Sequence, residues 1–320
     1  MRYCEIRTRG PFDASVVRRL HEIVEERQID LIHSHDYKTD ALNWIVARRQ
    51  RCGFLATAHG WTGRAVRERA FYYPLDRRIL RRFPRVISVS SEITETLVRS
   101  GVAQNQITTL ANGVDPEQFA PEPQRRASAR QALGVDERDF VIGAVGRLER
   151  QKRFDLLIDA VASIRRQYPD GVLLIAGDGS LRNQLQKHID RLGVAPHCRL
   201  IGHVAKIKNF YQALDLFVQS SDYEGTPNVV LEAMAMRVPV IATLAGGTSD
   251  VMRHETDGMA VQTGSSEGLA KAINAARQDW DKTLSRVATA RRRVETELSF
   301  AARNERLESV YRSLVASADR

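Results

Sequence analysis

Short apolar runs of strand length alternate with longer amphipathic segments along most of this 320-residue sequence. Runs that are apolar throughout are typical of strands buried on both faces of a parallel sheet, and such strands must be joined by crossover helices. The alternation therefore predicts an α/β fold built on parallel sheets. The runs that we expect to form strands are residues 31–35, 54–59, 85–90, 107–113, 139–146, 172–179, 198–202, 215–221 and 238–243.

The chain length suits two domains of about 150 residues each. Residues 115–126 are rich in proline and charge and fit neither the strand period nor the helix period, which indicates a hinge. The segments that we expect are a first domain at 1–118, a second at 119–285 and a terminal helical segment at 286–320. In that last segment, four apolar residues share one helical face and must pack on something: Leu307, Val310, Tyr311 and Leu314.

The sequence contains no run of about 18 apolar residues, and its first residues have no apolar stretch of the kind that a signal peptide needs. Its three cysteines, Cys4, Cys52 and Cys198, are far apart, which favours a reducing compartment. We therefore expect a cytoplasmic protein. His33 and His35 alternate on a predicted strand, but no third ligand has suitable spacing, so we expect no metal site.

Basic residues outnumber acidic ones and give a net charge of +9. Arginines mix with aromatic residues between Arg67 and Arg85, a composition that suits peripheral contact with an anionic membrane if the apolar residues share one helical face. A solvated arginine face is the alternative interpretation. We expect no nucleic-acid partner, because no recognition motif and no basic stripe with stacking aromatics is present.

Ligands of open parallel sheets bind beyond the carboxyl ends of the strands, so the loops that follow predicted strands are the places to look for function. In the loop GRLERQK, Gly146 is followed at once by Arg147 and then by Lys152. An arginine fork and a lysine point charge at a strand end can hold a diphosphate. The alternative is that both are surface cations at the start of a helix.

The stretch SSDYEGTPNVVLEAMAMRVPV, residues 220–240, is the most specific in the chain. Thr226 before Pro227 predicts a helix that begins here, with Thr226 as cap and Pro227 as first helical residue, and its free amides attract phosphate. Glu224 and Glu232 then offer two carboxylates to the hydroxyl groups of a sugar nucleotide. If they only decorated an amphipathic helix, Glu232 would lie among apolar residues without compensation.

Three further loops after predicted strands permit a close approach of backbone to a ligand, although each is also explained as a plain turn. They are residues 176–179, 201–204 and 244–248.

Taken together, these residues resemble a known family. The segments that carry the resemblance, in order, are GRLERQK, LIAGDG, DLFVQSS, EGTPNVVLEAMA, VPVIAT and AGG. They resemble the donor domain of family 4 glycosyltransferases, in which Glu224 and Glu232 correspond to an E-x7-E motif. Upstream, HSHDYKT, TAHGWTG, VISVSSEI and NGVDPEQF resemble the acceptor domain, so that the resemblance extends from about residue 15 to 315.

The resemblance implies a GT-B fold, with two Rossmann-like domains that face each other across a cleft, and a terminal helix that returns to the first domain. It also implies metal-independent transfer of a hexosyl group, with retention of anomeric configuration. The donor would be a nucleotide-diphosphate sugar, and the acceptor a hydroxyl of a glycan or a lipid-linked glycan in cell-envelope polysaccharide assembly. No cofactor beyond the substrate is implied.

The resemblance also implies a role for each matching residue. Arg147 and Lys152 would neutralise the departing diphosphate, and Glu224 would orient the sugar. Glu232 would accept hydrogen bonds from the ribose, and His59 would face the reacting sugar. The other residues implied in donor binding are Gly146, Val204 near the base, Gly225, Thr226, Pro227, Asn228 and Val229.

Three departures from the family pattern stand out. The chain starts with residues 2–12, which resemble the strand and loop that normally follow the first βα unit, so we expect that unit to be missing. Leu244 and Arg237 stand where the family often has aspartate and glycine. The missing unit leaves a non-catalytic nucleotide-sugar binder as an alternative. An epimerase or phosphorylase of the same fold is another, against which the GRLERQK loop and the pair Glu224 and Glu232 argue.

Overall fold

The computed structural model describes residues 4–6, 14–50, 52–61 and 68–318. The chain divides into two compact units, Met1–Leu110 with Asn304–Arg320, and Ala111–Arg303. The boundaries predicted from the sequence fall after residues 118 and 285, and a continuous helix spans residue 285. The strand and loop expected over residues 2–12 lie largely outside the described residues.

The first unit is built on a four-stranded parallel sheet with the strand order β1-β2-β3-β4. Its strands are β1 Leu31–Ser34, β2 Gly53–Ala58, β3 Arg85–Ser88 and β4 Ile107–Thr109. Its helices are α1 Ala14–Glu26, α2 Tyr37–Ala47, α3 Tyr73–Leu80 and α4 Ser91–Arg99, with a π-helical turn at Glu68–Tyr72 before α3.

The second unit has a six-stranded parallel sheet with the strand order β10-β9-β8-β5-β6-β7. Its strands are β5 Phe140–Val145, β6 Gly171–Ala176, β7 Cys198–Gly202, β8 Leu216–Gln219, β9 Val240–Thr243 and β10 Met259–Val261. The helices that follow α4 are α5 Arg126–Ala132, α6 Phe154–Ile164, α7 Arg182–Leu192, α8 Ile207–Ala213, α9 Asn228–Ala235, α10 Thr248–Val251, α11 Ser266–Gln278, α12 Trp280–Thr296 and α13 Phe300–Ala318.

Each predicted run overlaps a strand, and the prediction of two α/β units with parallel sheets is confirmed. Residues at the carboxyl ends of several predicted runs lie in loops instead, as at 220–221 after β8. Strand β10 was not predicted because its three residues are too few to show a period.

Alternate residues of each strand supply two cores, one on either face of the sheet. On β6, Leu173 and Ile175 pack in one cluster while Val172 and Leu174 pack in the other. This two-sided burial explains why the strands of the second unit are apolar throughout. In the first unit, one face of the sheet packs against the end of α13, through Leu307, Val310, Tyr311 and Leu314.

Two buried carboxyl groups face each other in the first unit, Asp40 on α2 and Asp76 on α3. Trp61 Nε1 donates a hydrogen bond to Asp76 Oδ2 at 2.9 Å. Burial raises the pKa of Asp40 to about 8, the nearby Asp76 and Asp36 add to the rise, and a hydrogen bond with Ser34 opposes it. Burial likewise raises the pKa of Asp76. The pair therefore shares a proton near neutral pH.

This pair predicts how stability depends on pH. The raised pKa means that the folded chain binds the Asp40 proton more tightly than the unfolded chain does. Stability therefore falls as pH rises from the ordinary carboxyl range to about 8. In Asp40→Asn an amide that does not ionise can donate to Asp76. We expect the variant to melt at a higher temperature than the wild type at pH 8, with a smaller difference at pH 5, in thermal unfolding of the full chain.

Asp281→Asn serves as a control, because Asp281 is exposed. The same chemical change at the surface should give the wild-type melting temperature at both pH values. An offset for Asp40→Asn that is equal at pH 5 and pH 8 would contradict the shared proton.

Candidate functional site

A lysine and a glutamate from two loops of the second unit form a close ion pair. Lys152 ends the loop after β5 and Glu224 lies in the loop after β8, and their Nζ and Oε1 atoms are 2.6 Å apart. Their side chains are 15% and 9% exposed. Ser221 Oγ donates to the same Glu224 oxygen at 2.6 Å. Two groups predicted from separate motifs therefore occupy one place at the carboxyl edge of the sheet.

Gly146 makes room for the lysine. A Cβ atom at this position would lie 3.1 Å from Lys152 Cε, so the lysine chain runs closely along the glycine backbone. Gly177 has a φ of +135°, and a Cβ there would lie 1.9 Å from the Gly146 carbonyl oxygen. The close approach expected for residues 176–179 is therefore an approach to protein backbone.

Backbone and side-chain hydrogen bonds hold the two loops together. Asp222 N donates to Gln151 O and Gln151 Nε2 donates to Tyr223 O, both at 2.8 Å. Ser220 Oγ donates to Lys152 O at 2.7 Å. The positions of the ammonium and the carboxylate are thus fixed by the backbones that carry them.

Glu232 lies on α9 and has a neutral partner. Its Oε2 accepts a hydrogen bond from the Tyr211 hydroxyl at 2.8 Å. Burial raises the pKa of Glu232, and the bond from Tyr211 opposes that rise. Tyr211 was not predicted from the sequence, because an aromatic residue on an amphipathic helix usually belongs to the core. The available signal was that a buried phenol needs an acceptor.

The start of α9 differs from the prediction. The helix begins at Asn228, and its cap residue is Pro227, which makes no side-chain capping bond. Thr226 Oγ1 accepts from the backbone amide of Asn112 at 3.3 Å, and Asn112 Nδ2 donates to Asn228 Oδ1 at 3.1 Å. The predicted roles of Thr226 as cap and Pro227 as first helical residue are therefore wrong, because Asn112 engages the hydroxyl.

Both halves of the chain match models of known protein families. Residues 125–293 match the family model described as glycosyl transferases group 1, and residues 2–118 match that of glycosyltransferase family 4. The chain belongs to the group 1 glycosyltransferases.

Relatives of this glycosyltransferase cover most of its length. The putative glycosyltransferase EpsD of Bacillus subtilis is 29% identical over 83% of this chain and 72% of its own. A GDP-mannose-dependent alpha-(1-6)-phosphatidylinositol monomannoside mannosyltransferase of Mycobacterium tuberculosis is 30% identical over 84% of this chain and 74% of its own. The structure of HepE of Anabaena in complex with UDP has a TM-score of 0.83 and 26% identity, over 94% of this chain and 82% of that one.

The remaining predicted residues of the glycosyltransferase lie on several elements. Arg147 is exposed in the loop after β5, and Val204, after β7, packs partly against the core of the second unit. Gly225 lies beside Glu224, and the Val229 carbonyl lies 3.3 Å from the Tyr211 hydroxyl. Their predicted contacts with a donor stay predictions.

The three histidines singled out in the sequence, His33, His35 and His59, belong to the first unit. His59 is exposed after β2, with its Nε2 3.3 Å from His35 Nδ1. His33 is 2.6 Å from the Tyr311 hydroxyl and 2.7 Å from Thr57 Oγ1. Over the described ranges, no three His, Cys, Asp or Glu side chains are grouped so that they could hold a metal ion. The predicted role of His59 at the reacting sugar stays a prediction.

Arg237 and Leu244, which depart from the family pattern, lie near the ends of α9 and β9. Arg237 has a φ of 55°, a left-handed conformation that glycine adopts without strain. Leu244 is 41% exposed, and its amide donates to Val261 O at 2.8 Å, which extends the pairing of β9 with β10.

The ion pair predicts a stability effect that is separate from any ligand. Lys152→Met leaves the Glu224 carboxylate with hydrogen-bond donors but without its counterion. We expect a loss of about 1–3 kcal/mol in the free energy of unfolding, measured with urea. Combining Lys152→Met with Glu224→Gln should recover most of the loss, because both charges are then removed together.

Lys271→Met is the matched control, because Lys271 pairs with Glu267 on an exposed face of α11. It should change stability by less than about 1 kcal/mol. A double variant no more stable than Lys152→Met would show that the charges do not compensate each other.

Proposed function

We propose that this protein is a retaining hexosyltransferase. It would move a sugar from a nucleotide-diphosphate sugar to a hydroxyl of a glycan or a lipid-linked glycan. The observation that carries the proposal is the contact of Lys152 with Glu224 at the carboxyl edge of a parallel sheet. Glu232 follows Glu224 closely in the chain and lies on α9. Lys152 would bind the diphosphate of the donor, and the carboxylates of Glu224 and Glu232 would bind its hydroxyl groups.

The relatives support this donor and this acceptor class. HepE of Anabaena has been solved with UDP-glucose. A relative in Escherichia coli, 26% identical over 93% of this chain, is a UDP-Gal:alpha-D-GlcNAc-diphosphoundecaprenol alpha-1,3-galactosyltransferase. These names favour a role in the assembly of cell-envelope polysaccharide or glycolipid.

In the proposed reaction, Arg147 and Lys152 stabilise the negative charge that grows on the departing diphosphate. No metal ion is expected, because the two cations perform the service that a metal gives elsewhere. Lys152 is already placed by Glu224, so little reorganisation is needed when the donor binds. Glu224 would accept from the sugar hydroxyls while it keeps its contact with Lys152.

Glu232 would accept hydrogen bonds from the ribose hydroxyls through the oxygen that Tyr211 does not occupy. The first amides of α9 have no partner within the helix and would bind phosphate or sugar. The other residues proposed to line the donor site are Gly146, Val204, Gly225, Thr226, Pro227, Asn228 and Val229.

Donor binding tests the proposal directly. A thermal-shift screen of UDP-, GDP-, ADP- and dTDP-sugars should give one class that raises the melting temperature. A ligand at about 100 times its Kd stabilises by about 2.7 kcal/mol. Lys152→Ala and Glu232→Ala should abolish most of the shift, whereas Lys271→Ala should retain it. Unchanged shifts in the first two variants would refute the assigned roles.

Product analysis with a labelled donor separates the proposed transferase from its alternatives. Transfer to an acceptor with the donor's anomeric configuration, unaffected by a chelator, fits the proposal. Conversion of the donor into an epimer indicates an epimerase. Binding by a folded sample without turnover indicates a nucleotide-sugar binder.

We also propose that the protein works at the cytoplasmic face of a membrane, through the helical segment before and within α3. Phe71 is 77% exposed and Leu75 is 53% exposed, and Arg78 is also exposed. The spacing of these three places them on one helical face, while Ile79 and Leu80 are buried. Over the described part of the chain, no helix is long and apolar enough to cross a bilayer.

Vesicle flotation tests this surface. The protein should float with vesicles that contain anionic phosphatidylglycerol and not with neutral phosphatidylcholine vesicles, and salt should weaken the binding. Phe71→Ser with Leu75→Ser should reduce flotation severalfold, because the apolar anchor is lost. Leu284→Ser, at a 47% exposed leucine of α12, is the control and should float like the wild type. Equal flotation of all variants would exclude this segment as the contact.

A further inference from the structure

Tyr211, in the second unit, has a ring that core packing explains and a hydroxyl that packing does not explain. The residue is fully buried, and its ring packs edge-on against Phe119 and Phe210 and at a tilt against Phe217, with centroid distances of 5.6–6.3 Å. A phenylalanine would satisfy this packing equally well. The phenol therefore needs a reason of its own, since a buried hydroxyl is costly without an acceptor.

The acceptor is the carboxylate of Glu232. The hydroxyl donates to Oε2 at 2.8 Å, and the Val229 carbonyl at 3.3 Å is the longer of its two contacts. Among the described residues, Oε1 of Glu232 accepts no hydrogen bond. One oxygen is thus fixed by the protein, while the other is open to a ligand.

The protonation of both groups follows from their burial. Burial and the adjacent Glu232 charge raise the pKa of Tyr211 well above 10, so the phenol stays a donor at every working pH. Burial raises the pKa of Glu232, and the phenol bond holds it down. Tyr211, from α8, is the titratable group that faces this carboxylate.

We propose that Tyr211 is a positioning residue for the nucleotide: its phenol fixes one oxygen of Glu232 so that the other accepts from the ribose hydroxyls. This inference rests on the proposed role of Glu232 in donor binding. Tyr211 acts through Glu232 and touches neither the sugar nor the diphosphate. It therefore contributes to binding of the nucleotide half of the donor and not to the transfer step.

The test compares Tyr211→Phe with the wild type by calorimetric binding of UDP, GDP and ADP and their 2′-deoxy counterparts. Tyr168→Phe is the matched control, because it also removes one phenol from the second unit, where the hydroxyl bonds to Asn274. We expect Tyr211→Phe to weaken binding of the ribonucleotide about tenfold and binding of the 2′-deoxynucleotide much less. In turnover, KM for the donor should rise while kcat changes little.

The pH profile distinguishes positioning from packing. Without the phenol bond the pKa of Glu232 rises further, so binding should be lost at a higher pH on acidification than in the wild type. 3-Fluorotyrosine at position 211 keeps the ring and strengthens the donor, so it should move the loss to lower pH. It also serves if Tyr211→Phe fails to fold.

Equal weakening of ribonucleotide and deoxynucleotide by Tyr211→Phe, or a pH profile unmoved by fluorination, would overturn the proposal. Failure of all the nucleotides to bind the wild type would overturn the proposed function itself, and this inference with it. Loss of ribose discrimination in Tyr168→Phe as well would show that the effect is not specific to Glu232.

Discussion

The contact between Lys152 and Glu224 is the interaction on which the rest of the candidate site depends. Alone, either charge would be largely buried without a counterion, which is destabilising. The two loops follow β5 and β8, which are neighbours in the sheet, so the fold brings the charges together over a short reach. Charges placed before a ligand arrives can stabilise a developing charge without reorganising.

Much of the fold and part of the site could be predicted from the sequence, because both leave local signals. Fully apolar runs report strands covered on two faces, and the order of these runs predicts parallel sheets. A parallel sheet in turn collects its functional loops at one edge. Gly146, Lys152 and Glu224 all follow strands in loops of this kind, and the structure brings them together, while their roles toward a donor stay predictions.

Pairings between distant residues could not be predicted, because periodicity carries no information about which side chains meet. The engagement of Thr226 by Asn112 joins residues 114 positions apart, and it cancels a capping role that local sequence favours. The pairing of Asp40 with Asp76 could not be predicted either, because it arises only when α2 and α3 pack together. At Gly177, a close approach of the backbone to another group could be predicted, but the group that approaches, the Gly146 backbone, could not.

The two glutamates of the site are compensated in different ways, and this difference limits what each can do. Glu224 has a cationic partner, so its charge belongs to a neutral pair whose position is fixed from both sides. Glu232 has a neutral donor in Tyr211 in place of a counterion, and burial raises its pKa while the bond from Tyr211 opposes the rise. The first arrangement suits a group that must remain in place beside a diphosphate. The arrangement at Glu232 suits a carboxylate whose affinity for a ligand depends on how well the hydrogen bond from Tyr211 keeps it ionised.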